Sequence, residues 1–297
     1  MSETWQASRP PFSQLSAHSA ERVELPGREG PLAALAGSPR GERAGTVLLI
    51  PGYTGSKEDF APLLDGIAAA GLRPVAIDLP GQFESAGPRD EACYLPLALG
   101  EVVADLVSRL AASGPVLLLG HSYGGLVARG AVLAGARVAG LTLLGSGPGK
   151  LPQGARLDSI DEGEPLLRAH GLEAAYAVRE RLGTVPAAEQ GSELREFLRK
   201  RFLASSAAGL LGMARGLRTE PDRVAELAEA LRRNGIPALV VAGEHDDAWS
   251  VSAQQDMARR MGAPFRMIEQ AAHAPNTENP VALLDVLLTE WRDWPAA

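Results

Sequence analysis

Gly120-His121-Ser122-Tyr123-Gly124 places a serine between two glycines, directly after the apolar run Val116 to Leu119 and just before Leu126-Val127-Ala128. The apolar run predicts a buried strand and the residues after Tyr123 a helix, so Ser122 falls on the sharp turn between them. Glycines two residues to either side remove side chains that would collide in so tight a bend. The chemistry suited to such a serine is nucleophilic attack. Its hydroxyl is a weak nucleophile without a base to take the proton, so a histidine is required. Of the five in the chain, His18 lies near the N-terminus, His121 points away from its neighbour's hydroxyl and His170 falls among helices of the middle stretch. His245 and His273 remain. A carboxylate must hold the imidazole in the right tautomer, and Gly243-Glu244-His245-Asp246-Asp247, following the apolar run Ala238 to Val241, offers three.

The elements that must position these groups alternate. Two short strands are expected between Arg22 and Ala36, turning at Pro26-Gly27. Further strands are expected over Val47 to Ile50, Pro74 to Ile77, Val116 to Leu119, Val138 to Leu144, Ala238 to Val241 and Phe265 to Ile268. Helices are expected over Asp59 to Ala70, Leu97 to Ala111, from the serine to about Ala134, Ser252 to Met261 and Val281 to Trp291. That order predicts a mostly parallel sheet with helices on both faces. Between Gly145 and Asn234 the alternation stops. Leu194, Phe197, Leu198 and Phe202, then Leu210, Leu211, Ala214 and Leu217, recur at helical spacing with no strand signal. Their apolar faces must be buried, on one another or over the sheet edge above Ser122. Phe202 and Leu211 are therefore expected pocket residues. Residues 1–20, rich in Ser, Pro and Gln, are expected to form a loose arm.

Taken together, the serine pentapeptide, the acid loop and the late histidine segment resemble the α/β-hydrolase family, whose order is nucleophile, acid, histidine. The resemblance covers about residues 22 to 293. It implies an α/β-hydrolase fold with a core of 21–144 and 235–297 and a helical cap, 145–234, inserted before the acid-bearing strand. It implies Ser122 as nucleophile, and His273, in Ala271-Ala272-His273-Ala274-Pro275, as base. Similar hydrolases carry the acid three residues after the glycine, which selects Asp246, with Asp247 as the alternative. Other members take it from the loop after the preceding strand, and here that loop, Gly145-Ser146-Gly147-Pro148, has no carboxylate. The oxyanion of the tetrahedral intermediate would be received by the backbone N–H of Tyr123 and of Tyr53. The family usually has His-Gly where this chain has Pro51-Gly52, and proline has no N–H to give. Asp78-Leu79-Pro80-Gly81 with Ser85 resembles the family's D-x-x-G-x-G-x-S turn, Phe83 replacing the second glycine, and is assigned a structural role.

The totals narrow the function further. A formal charge of −7 over 297 residues argues against nucleic acid or an anionic membrane as partner. Cys93 is the single cysteine, so no internal disulfide forms. With neither a basic start nor an apolar run of membrane-spanning length, the expected location is cytoplasmic. No metal-ligand cluster or nucleotide-binding spacing stands out, so no metal or cofactor is expected. The expected activity is hydrolysis of an ester or similar acyl bond in a small, partly apolar substrate through an acyl-enzyme. The alternatives are a thioesterase or acyltransferase acting on a carrier-bound acyl group, a lactonase, a carbon–carbon bond hydrolase and, outside catalysis, a receptor with an intact pocket. Oligomeric state is not legible.

Overall fold

In a computed structural model, which describes residues 12–41, 44–182 and 192–294, the apolar runs form one eight-stranded sheet. Strands β1 (Glu21–Leu25), β2 (Leu32–Ala36) and β3 (Gly45–Ile50) lead into helix α1 (Ala61–Ala69), then β4 (Leu72–Ile77), α2 (Pro96–Ala111), β5 (Val116–His121), α3 (Tyr123–Leu133) and β6 (Gly140–Leu144). Five helices follow: α4 (Ala155–His170), α5 (Leu172–Arg181), α6 (Ser192–Ala204), α7 (Ala207–Thr219) and α8 (Val224–Asn234). The chain then returns to the sheet with β7 (Ala238–Gly243), α9 (Val251–Met261), β8 (Phe265–Ile268), the short α10 (Pro275–Glu278) and α11 (Pro280–Trp291). The strand order is β1-β2-β4-β3-β5-β6-β7-β8. β1 and β2 are antiparallel and all pairings from β4 to β8 are parallel, giving the mostly parallel sheet expected.

Parallel strands covered on both faces bury every side chain, which is why β3, β5 and β6 read as largely apolar runs, interrupted only by buried Thr46 and Thr142 and the closing His121. Leu48, Ile50, Leu118 and Leu143 face a cluster shared with α2, α3, α8 and α9, whereas Val47, Leu49, Leu117 and Leu119 face α1 and α11. Each such Leu, Ile or Val contributes about 1.5–3 kcal/mol by leaving water. The helix expected from Asp59 begins as a tight 3₁₀ turn, Lys57–Phe60, and becomes α-helical at Ala61 with a proline in its first turn. Pro62 has no N–H to donate, so the first turn is where a helix accepts it.

A third apolar cluster lies outside both sheet faces. Leu167, Ala175, Tyr176, Leu194, Leu198, Phe202, Leu210 and Leu211 join α4, α5, α6 and α7. The helix α8, which the sequence groups with these, packs instead on α3 and α9, and its Val224, Leu227 and Leu231 belong to the sheet-face cluster. Tyr53 touches both clusters, so the loop after β3 lies at the seam. Residues 12–20, expected to be loose, are held against α1 and the turn before it: Gln14 donates to Asp59 and the Ser19 N–H to Asp65. The rest of that expected arm, 1–11, lies outside the described residues.

Candidate active site

Strand β5 ends at His121, and Ser122 bends the chain into α3 with φ 54° and ψ −120°, a left-handed backbone that a non-glycine residue adopts only when its surroundings impose it. Those surroundings are close. A Cβ on Gly120 would lie 2.2 Å from the Gly124 carbonyl oxygen, and one on Gly124 would lie 2.3 Å from that of Ile50. Only glycine fits at either position. The Ser122 N–H is held by the Leu144 carbonyl at 2.8 Å, and the serine side chain emerges at the carboxyl end of the parallel strands.

His273 and Asp246 meet it there. Ser122 Oγ lies 2.9 Å from His273 Nε2, and His273 Nδ1 lies 2.9 Å from Asp246 Oδ1. All three residues are buried. Asp246 follows β7 and His273 follows β8, so both arrive from strand ends on the same sheet edge as the serine. Burial opposes a charged Asp246, but the facing His273 and hydrogen bonds from the Ala248 N–H and Gln254 Nε2 outweigh it, and its pKa falls below the ordinary carboxylate value. Asp247 points elsewhere and pairs with Arg156 at 2.7 Å on the exposed side of the turn. His245 is also on the outside, 3.7 Å from Glu244.

Several buried polar groups fix the histidine's segment. Glu278 Oε2 accepts the N–H groups of Ala272 and Ala274, the two peptides that flank His273. Burial raises the Glu278 pKa despite those bonds. His121 Nε2 lies 2.8 Å from the His273 carbonyl oxygen. A carbonyl only accepts, so Nε2 carries the proton of a neutral ring. Burial, and then the facing His273, push the His121 pKa down to about 4.

Tyr123 adjoins the serine in the chain, and Tyr53 follows a glycine that adjoins it in space. Tyr123 is the first residue of α3, and a first-turn N–H has no acceptor inside its own helix. Tyr53 follows Gly52, where an added Cβ would come within 3.4 Å of Ser122 Oγ. The Gly52 carbonyl accepts from Gln82 Nε2 at 2.8 Å and from the Gly55 N–H at 3.0 Å. In a trans peptide the N–H opposes the C=O, so these bonds turn the Tyr53 N–H away from Gln82. Lys57 braces the same loop against the next one: its Nζ contacts Asp78 at 2.9 Å and Glu84 at 2.6 Å, and its N–H donates to Asp78.

Above Ser122 and His273 is a cavity of about 200 Å³. Phe202 and Leu211 line it, together with Leu210, Leu217, Ile160 and Tyr53. Leu194 and Leu198 pack in the cluster behind Phe202 and do not reach it.

The sequence profile of the alpha/beta hydrolase family matches residues 47–286. The chain belongs to that family. Among curated proteins none matches this alpha/beta hydrolase by sequence. Solved structures are similar to it throughout their length. An esterase of Thermogutta terrifontis is 22% identical with a TM-score of 0.71, covering 92% of this chain and 98% of its own. The enol-lactonase of Burkholderia xenovorans LB400 is 18% identical with a TM-score of 0.73, over 89% and 97%. The thioesterase domain of the curacin biosynthetic pathway is 19% identical with a TM-score of 0.68, over 91% and 100%.

In this alpha/beta hydrolase the carboxylates of Asp246 and Asp247 and a ring nitrogen of His273 are, among the described residues, the group close enough to share a metal, within 4.8 Å. Those atoms already serve one another and Arg156. The hydrolase also contains site residues that sequence reasoning passed over. Gln82 sits inside the Asp78 to Ser85 turn but reaches Gly52, thirty positions earlier, and Gln254 reaches Asp246 from α9. Only Glu278 carried a signal, lying in the Glu278-Asn279-Pro280 segment that closes the histidine loop. No described helix is long and apolar enough to cross a membrane.

Proposed function

We propose that this protein is a serine hydrolase cleaving a carboxylic ester of a small, partly apolar substrate. The observation that carries the reading is the unbroken chain Ser122 Oγ, His273 Nε2, His273 Nδ1, Asp246 Oδ1, with 2.9 Å at both links. Ser122 Oγ bonds to the ester carbonyl carbon as His273 Nε2 takes its proton, and the carbonyl π pair moves onto oxygen. The oxyanion is received by the Tyr53 and Tyr123 N–H groups, and Asp246 stabilises the imidazolium. Collapse of the intermediate expels the alcohol, which leaves with the proton from His273. Water then attacks the acyl-enzyme, giving its proton to His273, and the acid departs as Ser122 recovers its own. No cofactor enters any step.

The helices α4 to α7 serve as the cap over this chemistry, with Phe202 and Leu211 in the pocket roof. A cavity of about 200 Å³ favours a small free substrate over one borne on a carrier. The acidic charge and lone Cys93 fit a cytoplasmic enzyme. The test is hydrolysis of p-nitrophenyl esters graded in acyl length, with thioesters and lactones alongside. Turnover of short or medium esters, abolished in Ser122→Ala, is expected. Turnover of thioesters or lactones alone would replace the ester reading.

A further inference from the structure

Gln14, which precedes the first strand, lines the same cavity as Ser122 and His273. A turn over residues 13–16 fixes its place. The Ser16 N–H donates to the Ser13 carbonyl oxygen at 3.0 Å, the Ser13 N–H to Ser16 Oγ at 2.9 Å and the Leu15 N–H to Ser13 Oγ at 3.1 Å. The two central side chains of the turn part company. Leu15 is 45% exposed, whereas Gln14 is half-buried and its Nε2 donates to Asp59 Oδ1 at 3.2 Å. Further along, Ser19 is tied to Asp65 on α1 through both its N–H and its hydroxyl. The segment is therefore held on the body of the protein on either side of the turn's end.

Asp59 is shared. Its Oδ1 also receives Arg201 Nη1 at 2.6 Å, and both of these buried residues line the cavity. One carboxylate oxygen thus joins the segment before β1, the 3₁₀ turn after β3 and the helix α6. A glutamine on a surface turn ordinarily samples many rotamers. Here its amide gives up a hydrogen bond to a charged acceptor if it swings away, and such bonds are the stronger kind. The side chain is a fixed part of the cavity wall.

We propose that Gln14 is a specificity-determining residue: the segment before β1 closes one side of the substrate cavity, and its glutamine limits how far one substituent of the ester extends past Asp59 and Arg201. The proposal takes its substrate class from the ester reading above, but the wall itself does not depend on catalysis.

The test reads selectivity, because a general weakening of the fold lowers turnover of long and short substrates alike. Two pairs of esters are compared by the ratio of kcat/KM, long over short: p-nitrophenyl octanoate over acetate, which varies the acyl side, and hexyl over methyl acetate, which varies the alcohol side. Gln14→Ala should raise the ratio in one pair by at least about threefold, less than a single newly accommodated methylene contributes. Gln14→Trp, adding bulk at the same place, should lower it in that pair. Leu15→Ala, on the solvent side of the same turn, should leave both ratios unchanged. Calorimetric titration of the same esters into Ser122→Ala protein, with and without Gln14→Ala, should show the shift in the ratio of dissociation constants. Ratios in Gln14→Ala equal to those of the wild type in both pairs overturn the wall, and so does an equal shift in Leu15→Ala. A wild type that turns over no ester, with the shift still present in the dissociation constants, would strike the ester reading and leave the wall standing.

Discussion

Gln82 Nε2 donates to the Gly52 carbonyl oxygen at 2.8 Å, and its Oε1 accepts the Leu79 N–H at 3.0 Å, so one buried amide joins the loop after β4 to the loop after β3. The peptide it grips ends in the Tyr53 N–H. Replacing Gln82 by methionine keeps the bulk and removes the donor. The expected result is a fall in kcat on the order of tenfold to a hundredfold, with KM little changed, because a rotated oxyanion donor matters most in the transition state. Equal losses in kcat and in thermal stability alone, with labelling of Ser122 at the normal rate, would make Gln82 a loop brace only.

Asp246→Asn should lower kcat/KM by about 10³–10⁴, the cost of losing the orienting carboxylate in comparable triads. Asp247→Asn breaks only the exposed pair with Arg156 and should stay within about threefold. Steady-state kinetics of the two variants on one ester checks the contrast, and a reversed order would move the acid by one residue.

In the sequence only the family's spacing separates these two aspartates, since both follow the same strand in the same turn. What separates them is local geometry: Asp246 Oδ1 accepts the Ala248 N–H at 2.9 Å, which folds its carboxylate inward to His273. The elbow was legible because its requirements are short-range, an apolar strand, two glycines where backbone oxygens approach, and a helix. Gln82 and Gln254 were not, because their partners lie on other elements and nothing in their neighbours' pattern points there. The helical spacing of Phe202 and Leu211 announced a buried face but not which surface would cover it.

Phe202→Ala and Leu211→Ala should each destabilise the fold by about 2–5 kcal/mol through the space they open. Because both residues line the cavity, the preferred acyl length should also lengthen in at least one of them, each added methylene gaining up to ~0.8 kcal/mol until the space is filled. Urea unfolding and kcat/KM across a graded ester series measure the two effects. A lowered midpoint with an unmoved optimum would assign these side chains to packing alone.

His121 gives a pH signature. Its pKa falls from 6.5 to about 4 on folding, burial being the main cause. Between those values the unfolded chain binds a proton that the folded protein refuses, so the stability from neutral His121 is complete above pH 6.5 and is lost as pH falls toward 4. The loss is about 3 kcal/mol. In urea unfolding at neutral pH and near pH 4.5, wild type should lose more stability than His121→Gln by an amount of that order. Parallel losses would show that His121 does not titrate as its burial requires.

The most direct measurement of the central claim is intact-protein mass after treatment with a fluorophosphonate, which phosphonylates only a serine whose proton a neighbouring base can take. The account predicts one adduct on wild type, placed on Ser122 by peptide mapping, little labelling of His273→Ala, and none on a folded Ser122→Ala. An adduct retained on Ser122→Ala, or a wild-type protein that is never labelled while its circular dichroism stays native, would contradict it.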